Sequence, residues 1–174
     1  MNKQEIAARL IESHRNFTDC IDALSESEFM FAPAGKWTAG QQLKHVARSV
    51  APLAKALALP KFVPHLLFGK AKRLSTDYDS LVENYQGKLA AGGKASGKYI
   101  PPEIGFAERV DLKNKLTSDV ADLTERIGKF SETQLDEYVL PHPLLGDLTI
   151  REMLYFTIYH VGHHHRATLK NLGK

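Results

Sequence analysis

Between residues 4 and 24 apolar side chains recur at Ile6, Leu10, Phe17, Ile21 and Leu24, with spacings of three, four and seven. Such spacing lines one face of a helix and predicts a first long helix from Gln4 to Leu24. Val110, Leu112, Leu116, Val120, Leu123, Ile127 and Phe130 form a second stripe of the same kind. Two more helices should start at Thr38 and Thr149. Each threonine is followed three places on by Gln41 or Glu152, the arrangement of a capping box. Pro52, Pro60 and Pro64 should bend or break the chain after the Thr38 helix. Tyr78 to Ala91 suits a shorter helix, and Gly92 to Lys98 a flexible loop closed by Pro101 and Pro102. No segment alternates cleanly over six residues, so strands are not expected. The pattern predicts an all-α four-helix bundle built from two helical hairpins, with a long insertion between the second and third main helices.

The two halves echo each other. Ser25-Glu26-Ser27-Glu28-Phe29 leads through Pro33 and Gly35 to the cap at Thr38. Ser131-Glu132-Thr133-Gln134-Leu135 leads through Pro143 and Gly146 to the cap at Thr149. Each half reads as a helix, an acidic turn, a Pro/Gly loop and a capped helix that carries histidine.

Composition narrows the function classes. A chain of 174 residues favours one domain over 1–174, and 43% apolar with 25% charged residues is ordinary for a globular protein. The net charge of +3 comes from scattered Lys and Arg, which gives no case for a nucleic-acid partner. The single cysteine, Cys20, can form neither an internal disulfide nor a thiolate metal site. It falls within the first helical pattern and reads as core rather than nucleophile. No signal-peptide region and no membrane-length apolar run is present, so the expected location is cytoplasmic, away from membranes.

Histidine changes the picture. Of eight, four fall within six residues: His160, His163, His164 and His165. At about 100° per residue His160 and His164 lie roughly 40° apart on adjacent turns, where two imidazoles can reach one metal ion. The apolar face of this helix is marked by Ile150, Leu154, Val161 and Leu172. His164 falls near it and His160 at its flank. His163 turns further out, and His165 lies inward on the opposite flank. A catalytic zinc-type site usually needs three protein ligands and an open position. His45 is the candidate third, seven residues after its cap, against eleven for His160. The wheel leaves it at a helix–helix boundary, because the apolar centre of its helix lies near Val46, Val50 and Leu57. His14 reads as a buried, hydrogen-bonded structural histidine or a support to the site, and His65 and His142 as loop residues.

Glu-x-x-His, His-Glu-x-x-His, Gly-x-Ser-x-Gly, Walker A and Gly-x-Gly-x-x-Gly motifs are all absent. What remains resembles a known family. The stretch Gly35-Lys36-Trp37-Thr38-Ala39-Gly40-Gln41-Gln42-Leu43-Lys44-His45-Val46 is similar to the signature before the first histidine of the DinB-like (YfiT-like) superfamily. His142-Pro143-Leu144-Leu145-Gly146-Asp147-Leu148-Thr149-Ile150-Arg151-Glu152, followed by His160-x-x-His163-His164, looks like its second half. The likeness covers nearly the whole chain. It implies a four-helix bundle holding a divalent ion, often nickel or zinc, with His45, His160 and His164 as ligands. Characterised relatives include metal-dependent S-transferases that use low-molecular-weight thiols, and a thiol-using maleylpyruvate isomerase. A glutamine often stands three residues after the last ligand, where this chain has Ala167.

Three functional classes follow. A metalloenzyme with a small-molecule substrate would use a metal-bound thiol as nucleophile, or a metal-bound water as in a hydrolase. A non-catalytic bundle would use the ion to pin its two halves. A nucleic-acid partner is prompted only by the pI of 8.9. A homodimer paired through an exposed helix face is expected.

Overall fold

The computed structural model describes residues 1–60 and 62–174, the side chains of residues 64 and 65 excepted. Four long helices carry most of the core: α1 (Lys3–Asp22), α3 (Ala39–Ala58), α6 (Arg109–Gly128) and α8 (Ile150–Asn171). Between them lie the shorter α2 (Glu26–Met30), α4 (Phe62–Phe68), α5 (Tyr78–Ala90) and α7 (Glu132–Glu137). A two-stranded antiparallel sheet, β1 (Val139–His142) with β2 (Gly146–Thr149), precedes α8. None of the described helices is long and apolar enough to cross a membrane.

The helix starts follow the expected chemistry. Thr38 accepts from the Gln41 amide while the Gln41 side chain returns to the Thr38 amide, and Thr149 and Glu152 do the same. The two acidic turns are short helices with capping boxes of their own, Ser25 with Glu28 and Ser131 with Gln134. Ile6, Leu10, Phe17 and Ile21 are wholly buried on α1, as are Leu116, Leu123 and Ile127 on α6. Val110, assigned to the α6 stripe, is instead 49% exposed at the helix start.

Several expectations need correction. Pro52 lies inside α3 rather than after it. It sits on the exposed side of the helix, where water can satisfy the carbonyl its ring leaves unbonded. The helix ends only at Ala58, with Leu59 extended before Pro60. The fold is mostly helical but not purely so, since the β1–β2 hairpin pairs Val139 with Thr149 and His142 with Gly146. Four-residue strands are too short for alternation to reveal. His142 is therefore a strand residue, not a loop residue, whereas the side chain of His65, on α4, lies outside the described residues. Cys20 is half-buried at the margin rather than in the core.

The helical hairpins are the largest correction. α1 packs on α6 and α8, and α3 also packs on α6 and α8, whereas the consecutive pairs α1–α3 and α6–α8 form no comparable interface. The linkers 23–38 and 129–149 each contain a short helix and are long enough to carry the chain diagonally across the end of the assembly. Neighbours in sequence thus sit across from each other, and each half interleaves with the other. α8 is surrounded by α1, α3, α5, α7 and the hairpin. Every residue from Ile150 to Ile158 is consequently buried, not only one face.

One close approach yields a prediction. A Cβ built on Gly40 would lie 2.7 Å from Phe29 Cε1 and 3.0 Å from Ile104 Cβ, and Phe29 is wholly buried. Helix propensity alone would make Gly40→Ala stabilising by about 1 kcal/mol. Overpacking should reverse the sign, to a net loss of about 1–2 kcal/mol in denaturant unfolding. A gain in stability would contradict this packing.

Candidate metal centre

His45 stands two turns into α3, and His160 and His164 stand one turn apart on the packed neighbour α8. All three are buried, with 6%, 4% and 6% of their surface exposed. His45 Nε2 lies 3.1 Å from His160 Nε2, and His164 Nε2 lies 3.0 Å from the same atom. Among the described residues, these three bring one donor atom each within 4.8 Å of one another.

The far side of each ring is held. His45 Nδ1 donates to the Tyr99 carbonyl at 2.7 Å, and Arg48 Nη1 fastens that segment to α3 through the carbonyls of Lys98 and Ile100. His164 Nδ1 donates to Gln42 Oε1. Ser49 Oγ gives its own proton to the Val46 carbonyl at 2.7 Å and stands 3.4 Å from His160 Nδ1, placed to accept. With the protons on Nδ1, three Nε2 lone pairs point at one another. That arrangement is repulsive on its own and attractive around a cation. Second-sphere acceptors of this kind also fix the ligating tautomer and raise the basicity of the ring.

Electrostatics agree with this assignment. Burial, then neighbouring imidazoles, push His160 and His164 well below 6.5, and burial lowers His45 despite the Tyr99 hydrogen bond. All three are neutral at pH 7, the form that ligates. Trp37 packs against the group, its ring 4.9 Å from His45 and stacked 6.1 Å from His164. Phe156 stacks on His160 at 4.7 Å.

His45 and His160 also line a cavity of about 390 Å³ between α3, α5, the 94–99 segment, the hairpin and α8. Tyr85 lines it too, with its phenol pushed up to about 12 by burial and so protonated. The supposed flexible loop at 92–98 therefore forms one wall of the cavity, and Tyr99 just beyond it supplies a hydrogen bond to the triad.

The remaining histidines are elsewhere. His163 is half-buried, edge-on to His164 and Tyr85, and His165 lies against Phe17. His14 is 3% exposed and donates from Nδ1 to the Leu10 carbonyl at 2.8 Å, while its Nε2 has no partner among the described residues. Sequence reasoning missed Gln42 and Ser49. Their spacing held the signal, since Gln42, His45 and Ser49 recur at three and four and share one face of α3. The Tyr99 carbonyl left no trace in the sequence.

Burial of neutral histidine makes the fold acid-sensitive. His14 is lowered to about 4 by burial, against 6.5 in the unfolded chain. Below pH 6.5 the unfolded state takes up a proton that the folded state refuses, so stability falls as pH drops toward 4. At pH 5 His14 alone should cost about 2 kcal/mol, with His160 and His164 adding in the same direction. Urea unfolding with chelator present, at pH 7.5 and 5, should show at least this loss. Equal stability at both values would contradict the buried, neutral assignment.

The sequence pattern of the DinB superfamily matches residues 9–167. No curated protein matches the chain in sequence. Among solved structures, the crystal structure of a conserved protein from Enterococcus faecalis matches with a TM-score of 0.64 at 17% identity, covering 100% of this chain and 99% of that one. The latter likeness is one of fold.

Proposed function

Because the chain belongs to the DinB superfamily, we propose that it is a divalent-metal-dependent enzyme in a four-helix bundle, its zinc or nickel ion held by His45, His160 and His164. The observation that carries this reading is the convergence of three buried Nε2 atoms at the wall of a cavity. Three neutral imidazoles leave the ion its full charge, so a bound thiol or water would be deprotonated near neutral pH.

Transfer of a low-molecular-weight thiol to a small electrophile is the preferred reaction, on the strength of the family resemblance. The chain's own residues contribute position and exclusion. Gln42, Ser49 and the Tyr99 carbonyl orient the three rings, Trp37 and Phe156 pack them against water, and the cavity takes the substrate. A purely structural ion would have no use for a cavity opening on two of its ligands, which favours catalysis over a pinned, inert bundle. A homodimer belongs to the same proposal, supported by Phe62, Leu66 and Leu67, exposed at 67%, 79% and 62% on α4.

The experiment is an assay of the untagged protein with bacillithiol, mycothiol or glutathione and a model electrophile, with zinc, nickel or chelator. Metal-dependent consumption of thiol, lost on His160→Ala, is expected. Metal-dependent ester or amide hydrolysis without thiol would shift the reading to a hydrolase. No metal-dependent turnover of any kind would contradict catalysis.

A further inference from the structure

His142 closes β1, and the turn that follows it fixes its chemistry. Its Nδ1 accepts from the backbone N–H groups of Leu144, at 3.2 Å, and Leu145, at 3.1 Å. A backbone N–H can only donate, so Nδ1 carries the lone pair and the ring proton sits on Nε2. With Nδ1 turned into the hairpin, Nε2–H is the polar edge left for the cavity, which His142 lines. It has no acceptor among the described residues. The ring sits edge-on to Phe156 at 4.3 Å, and Phe156 in turn stacks on His160 at 4.7 Å. His142 therefore stands one aromatic ring away from the histidine triad. Burial lowers it to about 4, which keeps it a neutral donor at pH 7.

The rest of the cavity defines what such a donor would meet. Leu53, Leu140 and Met153 make the wall apolar, Lys94 and Lys98 bring positive charge from an exposed segment, and among the described residues no Asp or Glu lines it. An apolar pocket with a backbone-fixed imidazole donor, the Tyr85 hydroxyl, two lysines and no carboxylate among the described residues suits an anion with an apolar body.

We propose that the cavity binds a substrate with an apolar body and a carboxylate, and that His142 Nε2–H donates a hydrogen bond to that carboxylate. This rests on reading the cavity as the substrate site. The donor belongs to a neutral imidazole whose tautomer is set by backbone amides, so it is in place before the substrate arrives.

The test titrates 4-phenylbutyrate, with 4-phenylbutyramide as its neutral match, into the zinc-loaded protein and again with chelator, followed by NMR of the imidazole nitrogens. The carboxylate should bind more tightly than the amide and shift the His142 Nε2–H resonance. His142→Asn keeps an acceptor for the Leu144 and Leu145 amides but removes the far donor. It should melt close to wild type and bind 4-phenylbutyrate about tenfold more weakly. His142→Gln, whose amide reaches the Nε2 position, should recover part of the loss. A probe that binds no better than its amide overturns the proposal, as does His142→Asn binding like wild type. Binding that vanishes with chelator and ignores His142 would put the carboxylate on the ion, which overturns this inference and leaves the metal reading standing. Binding that depends on His142 in a protein that takes up no metal would do the reverse.

Discussion

Replacing His45, His160 or His164 by alanine, one at a time, is expected to lower divalent-metal affinity at least 100-fold. Loss of a group that merely supports a ligand typically costs 10–100-fold, so loss of a ligand itself should cost more. His163→Ala and His165→Ala should keep nearly full occupancy, because their rings pack on Tyr85 and Phe17 rather than joining the cluster. A histidine-rich patch would instead give graded, similar losses across all five. His45→Ala is the most informative of the series. Normal metal content in that variant, with metal lost from His160→Ala and His164→Ala, would reduce the centre to a chelate on one helix. Metal analysis of protein purified without a histidine tag reads the outcome.

The second large effect concerns Glu152, which is wholly buried at the start of α8. Its carboxylate accepts from Arg73 Nη2 at 2.8 Å, the Thr76 amide at 2.7 Å and the Thr149 amide at 2.9 Å. Burial alone would raise its pKa, but the Arg73 guanidinium and these donors hold it below the usual carboxylate value. One side chain thus caps the histidine-bearing helix and ties the long insertion to it. Glu152→Ala removes the cap and strands several donors, and should cost about 3 kcal/mol. In a chain of this size that lowers Tm by roughly 6–12 °C. Glu152→Gln should lose less, since an amide oxygen can still accept at the cap. A Tm within about 2 °C of wild type for Glu152→Ala would contradict this role.

Local grammar made much of the fold legible. The pairs Thr38–Gln41 and Thr149–Glu152 marked two helix starts because a capping box is complete within four residues. The α1 stripe was readable because Ile6, Leu10, Phe17 and Ile21 all meet the same core. What escaped depends on contacts distant in sequence. The diagonal crossing of the linkers determines which helices touch, and no spacing within a helix encodes it. Pro52 was misjudged because its side of α3 faces solvent, a fact fixed by α6 and α8 rather than by the helix itself.

The site was legible in the same uneven way. His160 and His164 could be paired from one turn of helix. His45 was equivocal because a wheel weighted by apolar residues points to Val46 and Val50, whereas Gln42, His45 and Ser49 form a polar stripe turned toward α8. Flanked by Pro141 and Pro143, His142 reads from sequence as a loop residue. Its tautomer became visible only with the amides of Leu144 and Leu145 in place.

The central claim is that three imidazoles, from two helices more than 100 residues apart, hold one divalent ion. X-ray absorption of the zinc-loaded, untagged protein tests it most directly. Three imidazole nitrogens at about 2.0–2.1 Å with a further light-atom ligand are predicted, reduced by one imidazole in His45→Ala. A wild-type spectrum with two imidazoles or fewer, unchanged by His45→Ala, would contradict the account.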